Sequence, residues 1–417
     1  MKKILFAIAA IFVLSACSKK DDPEPGPGPS PVAQHTVLVY MSGENSLVDI
    51  IGGDLKEMIE GSYQLEENQH LLAYVDSTGF RNYPHIYEIS GGKATEVYHY
   101  SSDFYSSDPA KFREVIQWCI DNYPSDDYSL VLWGHATGWA ISTDSVAQSR
   151  RNSRAYGQDK GTDVSGGSSH WMNIPQMARA LDGLPKFRYI FADCCCFQCL
   201  ESAYELRNAA QYLIGSPAEI PDLGAPYDKL LPALFSLATD YPKQMCDVYY
   251  DYYHGLYQLS EHLSFGLSGY SVPLSVIDLS QMETLARATA KVMNTFVPQY
   301  PDELNLSGLP FYFGYSNAPV MYDVKSVIHK YAPNKSYTEW LEAYNQAVPY
   351  QLPSRKWMTV YTTIDNQFGT FPTDDSEYGC TSMFFPQASY ASHTYRYNQR
   401  ISQLQWYSAV NWSSFGW

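Results

Sequence analysis

Four short apolar runs constrain this chain more than any other feature. Residues 36–41, 71–75, 129–133 and 187–192 are rich in aliphatic and aromatic side chains. They largely lack the polar alternation that marks a strand wetted on one face. Such runs are buried on both faces, as in a mainly parallel sheet covered by helices above and below. Between them lie helical stretches. These are 47–60, 109–122 with Phe112, Val115, Ile116, Cys119 and Ile120 on one face, 174–181 opened by Asn173 and Pro175, and 197–210. A hairpin is expected at 86–89 and 95–99 through Gly91 and Gly92, and a further strand at 212–214. The alternation predicts a three-layer α/β/α sandwich with a mostly parallel central sheet over 34–240. From 241 to 417 the chain is rich in tyrosine, with a helix at 281–296 and a strand at 380–385 stopped by Pro386. This half reads as a C-terminal α+β accessory region packed on the first.

Two of the runs end in reactive residues. The third leads through Trp133 and Gly134 to His135, and the fourth through Asp193 to Cys194, Cys195 and Cys196. Open parallel sheets build their sites beyond the carboxyl ends of strands, so parallel pairing would bring His135 and these cysteines to one edge. A thiol just before a helix is favoured as a thiolate, and a nearby imidazole can take its proton and later protonate a leaving amine. The separation of 60 residues (195 minus 135) is close to the caspase-type order of His before Cys. By these signals alone the nucleophile stays open among Cys194, Cys195, Cys196 and Cys199. Taken by itself, Asp193 reads first as a cap on the following helix.

These residues resemble the clostripain-like cysteine peptidases, members of the caspase, legumain and gingipain clan. The resemblance covers most of the chain from Thr36. It rests on Tyr40, Met41 and Asn45, on Tyr123 and Pro124, on residues 132–135, and on Ser216 through Pro226, Tyr227 and Asp228. In the family a Glu stands six residues after the Cys and is followed by Ala-Tyr-Glu-Leu. Glu201 with Ala203, Tyr204, Glu205 and Leu206 therefore sets the register, which points to Cys195 as nucleophile and Asp193 as the residue two before it. The resemblance implies a caspase-like fold and a Cys–His dyad of Cys195 and His135. It also implies an oxyanion hole from the backbone of Ala136 and Cys195. Asp193 would then select Arg or Lys in the first specificity pocket. Ala136 stands where the family usually has Gly. Ser216 through Pro226 would wall the pocket, and Glu219 and Asp222 are either a second carboxylate for it or solvated loop charges. Family members can be cut between the His and Cys segments after a basic residue. Arg150, Arg151, Arg154 and Lys160 in the polar loop 141–170 are the candidates here, the alternative being a plain solvated loop. The dyad needs no cofactor. Calcium stays open, since some members respond to it, although no Asp-x-Asp-x-Asp-Gly loop occurs.

The amino terminus addresses the compartment. Lys2 and Lys3 precede an apolar run at 4–14, and Leu14, Ser15 and Ala16 lead to Cys17. This pattern resembles a lipoprotein signal peptide over 1–16 with Cys17 as the lipidated residue. A Pro/Gly-rich tether follows at 17–33. The expected location is the bacterial cell envelope as an outer-membrane lipoprotein. Lys19, Lys20, Asp21 and Asp22 are either a surface-export signal or solvated linker. A net charge of −16 argues against a nucleic-acid partner, which requires Lys and Arg to neutralise phosphates, and leaves peptide or protein substrates. Four cysteines within 194–199 lack the spacing of a zinc site. The 36 tyrosines and nine tryptophans keep one competing reading open, a non-catalytic surface lipoprotein binding peptides or glycans.

Overall fold

A computed structural model describes residues 32–415, except 79–82, 141–154, 162–167, 258–269, 301–302, 316–317, 360–367, 371–377, 388–389 and 391–395. The signal peptide, Cys17, nearly all of the tether, Arg150, Arg151 and Arg154 lie outside the described residues.

Among these residues the strands are β1 (Ala33–Ser42), β2 (Gln69–Asp76), β3 (His85–Ser90), β4 (Lys93–His99), β5 (Ser125–Gly134), β6 (Tyr156–Asp159), β7 (His170–Met172), β8 (Phe187–Asp193), β9 (Ala210–Gly215) and β10 (Leu274–Asp278). Beyond them come β11 (Phe311–Tyr315), β12 (Ala318–Asp323), β13 (Tyr350–Leu352), β14 (Lys356–Met358), β15 (Phe368–Thr370) and β16 (Ser382–Met383). The central sheet runs β13-β10-β9-β8-β5-β1-β2-β3-β4. Its inner five strands, β9 through β2, are parallel, and the pairs beyond them on both sides are antiparallel. β1 passes to β2 on one side, and the chain then returns to β5 on the other. The order therefore reverses at β1/β5, and a crevice opens beyond the carboxyl ends of such strands.

The missing alternation has a direct explanation. Leu38, Tyr40, Leu72, Tyr74, Leu130, Leu132, Ile190 and Ala192 join one core with α2 (Pro109–Asn122), α3 (Ile174–Leu181), α4 (Leu200–Glu205) and α7 (Met282–Phe296). Their neighbours Val37, Val39, Leu71, Ala73, Val131, Tyr189 and Phe191 join a second core with α1 (Ile51–Gly61), α5 (Tyr227–Leu234) and α6 (Tyr241–Leu256). Each buried aliphatic or aromatic side chain contributes roughly 1.5–3 kcal/mol. A one-residue slip would exchange the two cores, so register is strongly set.

Three expected elements come out differently. The helix predicted from 47 begins at Ile51, because residues 46–50 form a turn with the Ile50 amide bonded to Leu47 O. The helix predicted over 197–210 shrinks to α4. Its first residues are engaged elsewhere, since the Cys196 and Gln198 amides donate to Ala218 O and Ser216 O, and Cys196 is left-handed at φ 57°. The strand predicted over 380–385 is reduced to β16, which pairs with β12. The second half also extends the main sheet, because β10 and β13 add to β9.

Candidate active site

Strand register decides what meets at the carboxyl edge. Trp133 pairs with Asp193 in the parallel β5–β8 ladder, and His135 and Cys195 each stand two residues further on. Both line one cleft with Trp133, Asp193, Asp222 and Met358.

Two segments hold His135. From the turn after β1, Ser46 Oγ lies 2.8 Å from His135 Nε2 in a hydrogen bond whose donor depends on the tautomer. From β6, the Gly157 amide donates to His135 O at 2.9 Å, Ala136 pairs with Tyr156, and the Thr137 amide donates to Ala155 O. The Trp171 ring lies 6.5 Å from the imidazole, centre to centre. The backbone on both sides of the imidazole is therefore fixed by a strand that comes from the long polar loop.

The crowded cysteines separate by burial. Among the described cysteines Cys195 alone is partly exposed. Burial pushes the Cys194 and Cys196 thiols far above their usual range and Cys199 up to about 12, so these three stay protonated. No helix terminus sits directly behind Cys195, contrary to expectation, because α4 starts only at Leu200. A loop amide takes that position instead, with Ile220 N–H donating to Cys195 Sγ at 3.4 Å. Gly138 packs against this turn at φ 57°, and a Cβ there would meet Cys196 O at 2.4 Å.

Asp193 does not cap α4. Its Oδ2 accepts from the Ala225 amide at 3.1 Å and Tyr227 Oη at 2.8 Å, and its Oδ1 accepts from Tyr249 Oη at 3.1 Å. Burial raises its pKa while these three donors pull it down, and the net direction is upward. Beneath it Asp54 accepts from Trp133 Nε1 at 2.5 Å. Burial, and then the charge of Asp193, push Asp54 up to about 8. Gly224, at φ 62°, lets the loop pass over both acids, since a Cβ there would lie 3.0 Å from Asp193 Oδ2.

The remaining expected residues divide. Asp222 stands exposed on the cleft rim. Ser216 is buried, and its Oγ accepts from the Ala218 amide. Glu219 is half-buried and its backbone bridges to Met358 of β14. Lys160 is exposed just after β6, with its amide on Glu44 O. Sequence reasoning missed Ser46, Asp54, Trp171, Ile220, Tyr249 and Met358. Only Ile220 carried a signal, its place in the pocket-wall segment.

A partly exposed thiol in a cleft at the carboxyl edge of a caspase-like sheet fits one class, and the protein is a cysteine protease. It belongs to the clostripain family, whose model matches residues 39–417. Among solved structures it is similar to a secreted C11 cysteine protease from Bacteroides thetaiotaomicron in complex with an irreversible peptide inhibitor. That match has 27% identity and a TM-score of 0.75 over 92% of this chain and 100% of that one. It shares its fold with an inactive zymogen C11 protease from Parabacteroides distasonis, at 23% identity and a TM-score of 0.70 over 91% and 98% of the two chains. A B. fragilis cysteine protease matches at 30% identity and a TM-score of 0.51 over 60% of this chain and 96% of that one. No curated protein matches the chain.

Proposed function

We propose that this protein is an exported, lipid-anchored endopeptidase that cleaves after Arg or Lys with Cys195 as nucleophile and His135 as base and acid. The observation that carries the reading is the partly exposed Cys195 in one cleft with His135, while the six other described cysteines are buried. His135 takes the thiol proton, and the sulfur attacks the scissile carbonyl carbon. The resulting oxyanion accepts from the backbone amides of Ala136 and Cys195. The C–N bond breaks as the imidazolium protonates the leaving amine, which leaves a thioester. Water, deprotonated by His135, then attacks the thioester, and the acid product departs as the thiol is restored.

A carboxylate in the cleft supports the preference for a basic residue. Each oxygen of Asp193 retains lone-pair capacity beyond its protein donors, and a guanidinium or ammonium would supply the missing counter-charge. Asp222 on the rim adds a second negative charge, and Ser216 and Glu219 serve as the frame of the loop. Self-cleavage after Arg150, Arg151, Arg154 or Lys160 would separate the His and Cys segments. The lipid on Cys17 would hold the enzyme at the outer membrane.

The test is a thiol-directed peptide probe with Arg or Lys at its first position. Labelling of the native chain and none of Cys195→Ala is expected. Absence of labelling, with binding on a glycan array, would favour a non-catalytic module. Mass spectrometry of native and Cys195→Ala protein checks self-cleavage, and an intact active enzyme would remove that step.

A further inference from the structure

Behind the wall of the cleft stands a second acid that the proposed mechanism does not use. Asp54 belongs to α1 and is 3% exposed. Its Oδ2 accepts from Trp133 Nε1 at 2.5 Å, and Trp133 lines the cleft. The loop through Gly224 closes over Asp54 and Asp193 together. A single Cβ at Gly224 would stand 3.0 Å from Asp193 Oδ2 and 3.5 Å from Asp54 Oδ2. Asp193 has three donors, whereas Asp54 has only Trp133 among the described residues. No cationic side chain pairs with either acid among those residues. The other groups around Asp54 bring no net positive charge. Glu57, one turn along α1, accepts from the Tyr227 amide at 3.0 Å and has Asp228 and Lys229 of α5 near it. Tyr227 is kept protonated by burial and by both aspartates, and Tyr249 of α6 donates to Asp193. Among the described residues no charge from β3 or from residues 62–64, which also pack on α1, acts on Asp54.

Two carboxylates closed into one buried space resist ionising together. We propose that Asp54 is the second acid of the basic-residue pocket, ionising when a guanidinium or ammonium settles on Asp193. This rests on the reading that the cleft takes Arg or Lys at the first position. Burial, and then the charge of Asp193, push Asp54 up to about 8 while the pocket is empty. A bound cation offsets the charge of Asp193, so the Asp54 O–H ionises and its proton passes to solvent. Two negative charges then face one positive charge. Because binding releases a proton, the grip on a cation strengthens as pH rises and levels off above about pH 8. A neutral side chain in the same place gains nothing. Asp54 touches none of the reacting atoms. It is a positioning residue that sets charge selectivity through Asp193.

The test compares two peptides that differ only at the first position, one with Arg and one with citrulline, its neutral isostere. The ratio of their kcat/KM values cancels the titration of Cys195 and His135, which both peptides share. In the native chain this ratio should rise by about tenfold from about pH 6 to about pH 9. In Asp54→Asn, whose amide oxygen can still accept from Trp133, the ratio should not change with pH. Glu60→Gln, exposed on the same helix, should keep the rise. A preference for Arg that is constant with pH in the native chain overturns the inference alone, as does a rise that persists in Asp54→Asn. Equal cleavage of the two peptides at every pH removes the basic-residue pocket itself, and the inference with it. A readout without turnover covers a variant that misfolds. Cys195→Ala protein titrated calorimetrically with the Arg peptide near pH 7, in buffers of unequal ionisation heat, should release up to about one proton per peptide bound. No proton release, or no binding, refutes the inference.

Discussion

Asp193 and Asp76 are both aspartates at the last position of a parallel strand, buried at one edge of one sheet. Asp193 collects an amide and two tyrosine hydroxyls, while Asp76 collects no donor among the described residues. The protein thus solves the same electrostatic problem in two ways. Beside the cleft the Asp193 carboxylate is met by fixed donors, which hold the loop over the site. Beside β1 and β2 burial and the neighbouring acids Asp159 and Asp103 push the Asp76 carboxyl well above its usual range, so the charge is avoided by holding a proton.

The largest expected effect separates the two regions. Cys195→Ala should lower kcat/KM by about 10⁴-fold or more, while its stability in urea stays that of the native chain. A fall in stability would merge the regions into one. The next effect is one of opposite sign. Asp193→Ala orphans two hydroxyls and an amide and should cost about 3 kcal/mol in denaturant unfolding. Asp76→Asn should instead raise stability, by about 1 kcal/mol, because the amide replaces a buried carboxyl that must take up a proton to fold. Equal signs for the two variants would break the comparison.

Two smaller effects sharpen it. Asp54, beneath Asp193, and Glu201 are each raised to about 8. Unfolded carboxylates titrate near pH 4, so from about pH 4 to 8 the folded chain holds protons that the unfolded chain has lost. Stability should therefore fall as pH rises through that window, by at most about 1.4 kcal/mol per pH unit for each group. Asp54→Asn should flatten the slope measured by urea denaturation. The smallest effect belongs to Ser46→Ala, which removes a hydrogen bond to the imidazole and should lower kcat/KM by about tenfold or less.

What was legible in the sequence follows the range of the interactions. The four apolar runs predicted β1, β2, β5 and β8, because burial on both faces writes itself into consecutive residues. The face of α2 was equally plain, with Phe112, Val115, Ile116 and Cys119 buried. His135 and Cys195 could be placed at one edge because strand ends carry that information, and the family resemblance supplied the choice among the cysteines. Long-range partners stayed hidden. Ser46 lies 89 residues from His135, and Tyr249 lies 56 residues from Asp193. Asp76 simply follows the second apolar run, and nothing local reveals that Glu44 and Asp159 will face it. The helix expected behind Cys195 failed for the same reason, its amides being claimed by Ser216 and Ala218 from another strand's exit.

Tyr249, on α6, and the strands β10 and β13 all come from the half of the chain beyond residue 240. A version ended there to isolate the protease half would lose a donor to Asp193. It would also leave β9 as a naked edge, with unpaired amides and carbonyls that invite another chain to add a strand. Such a fragment should be recovered as aggregate, which makes the second half a guard of solubility as much as a part of the fold.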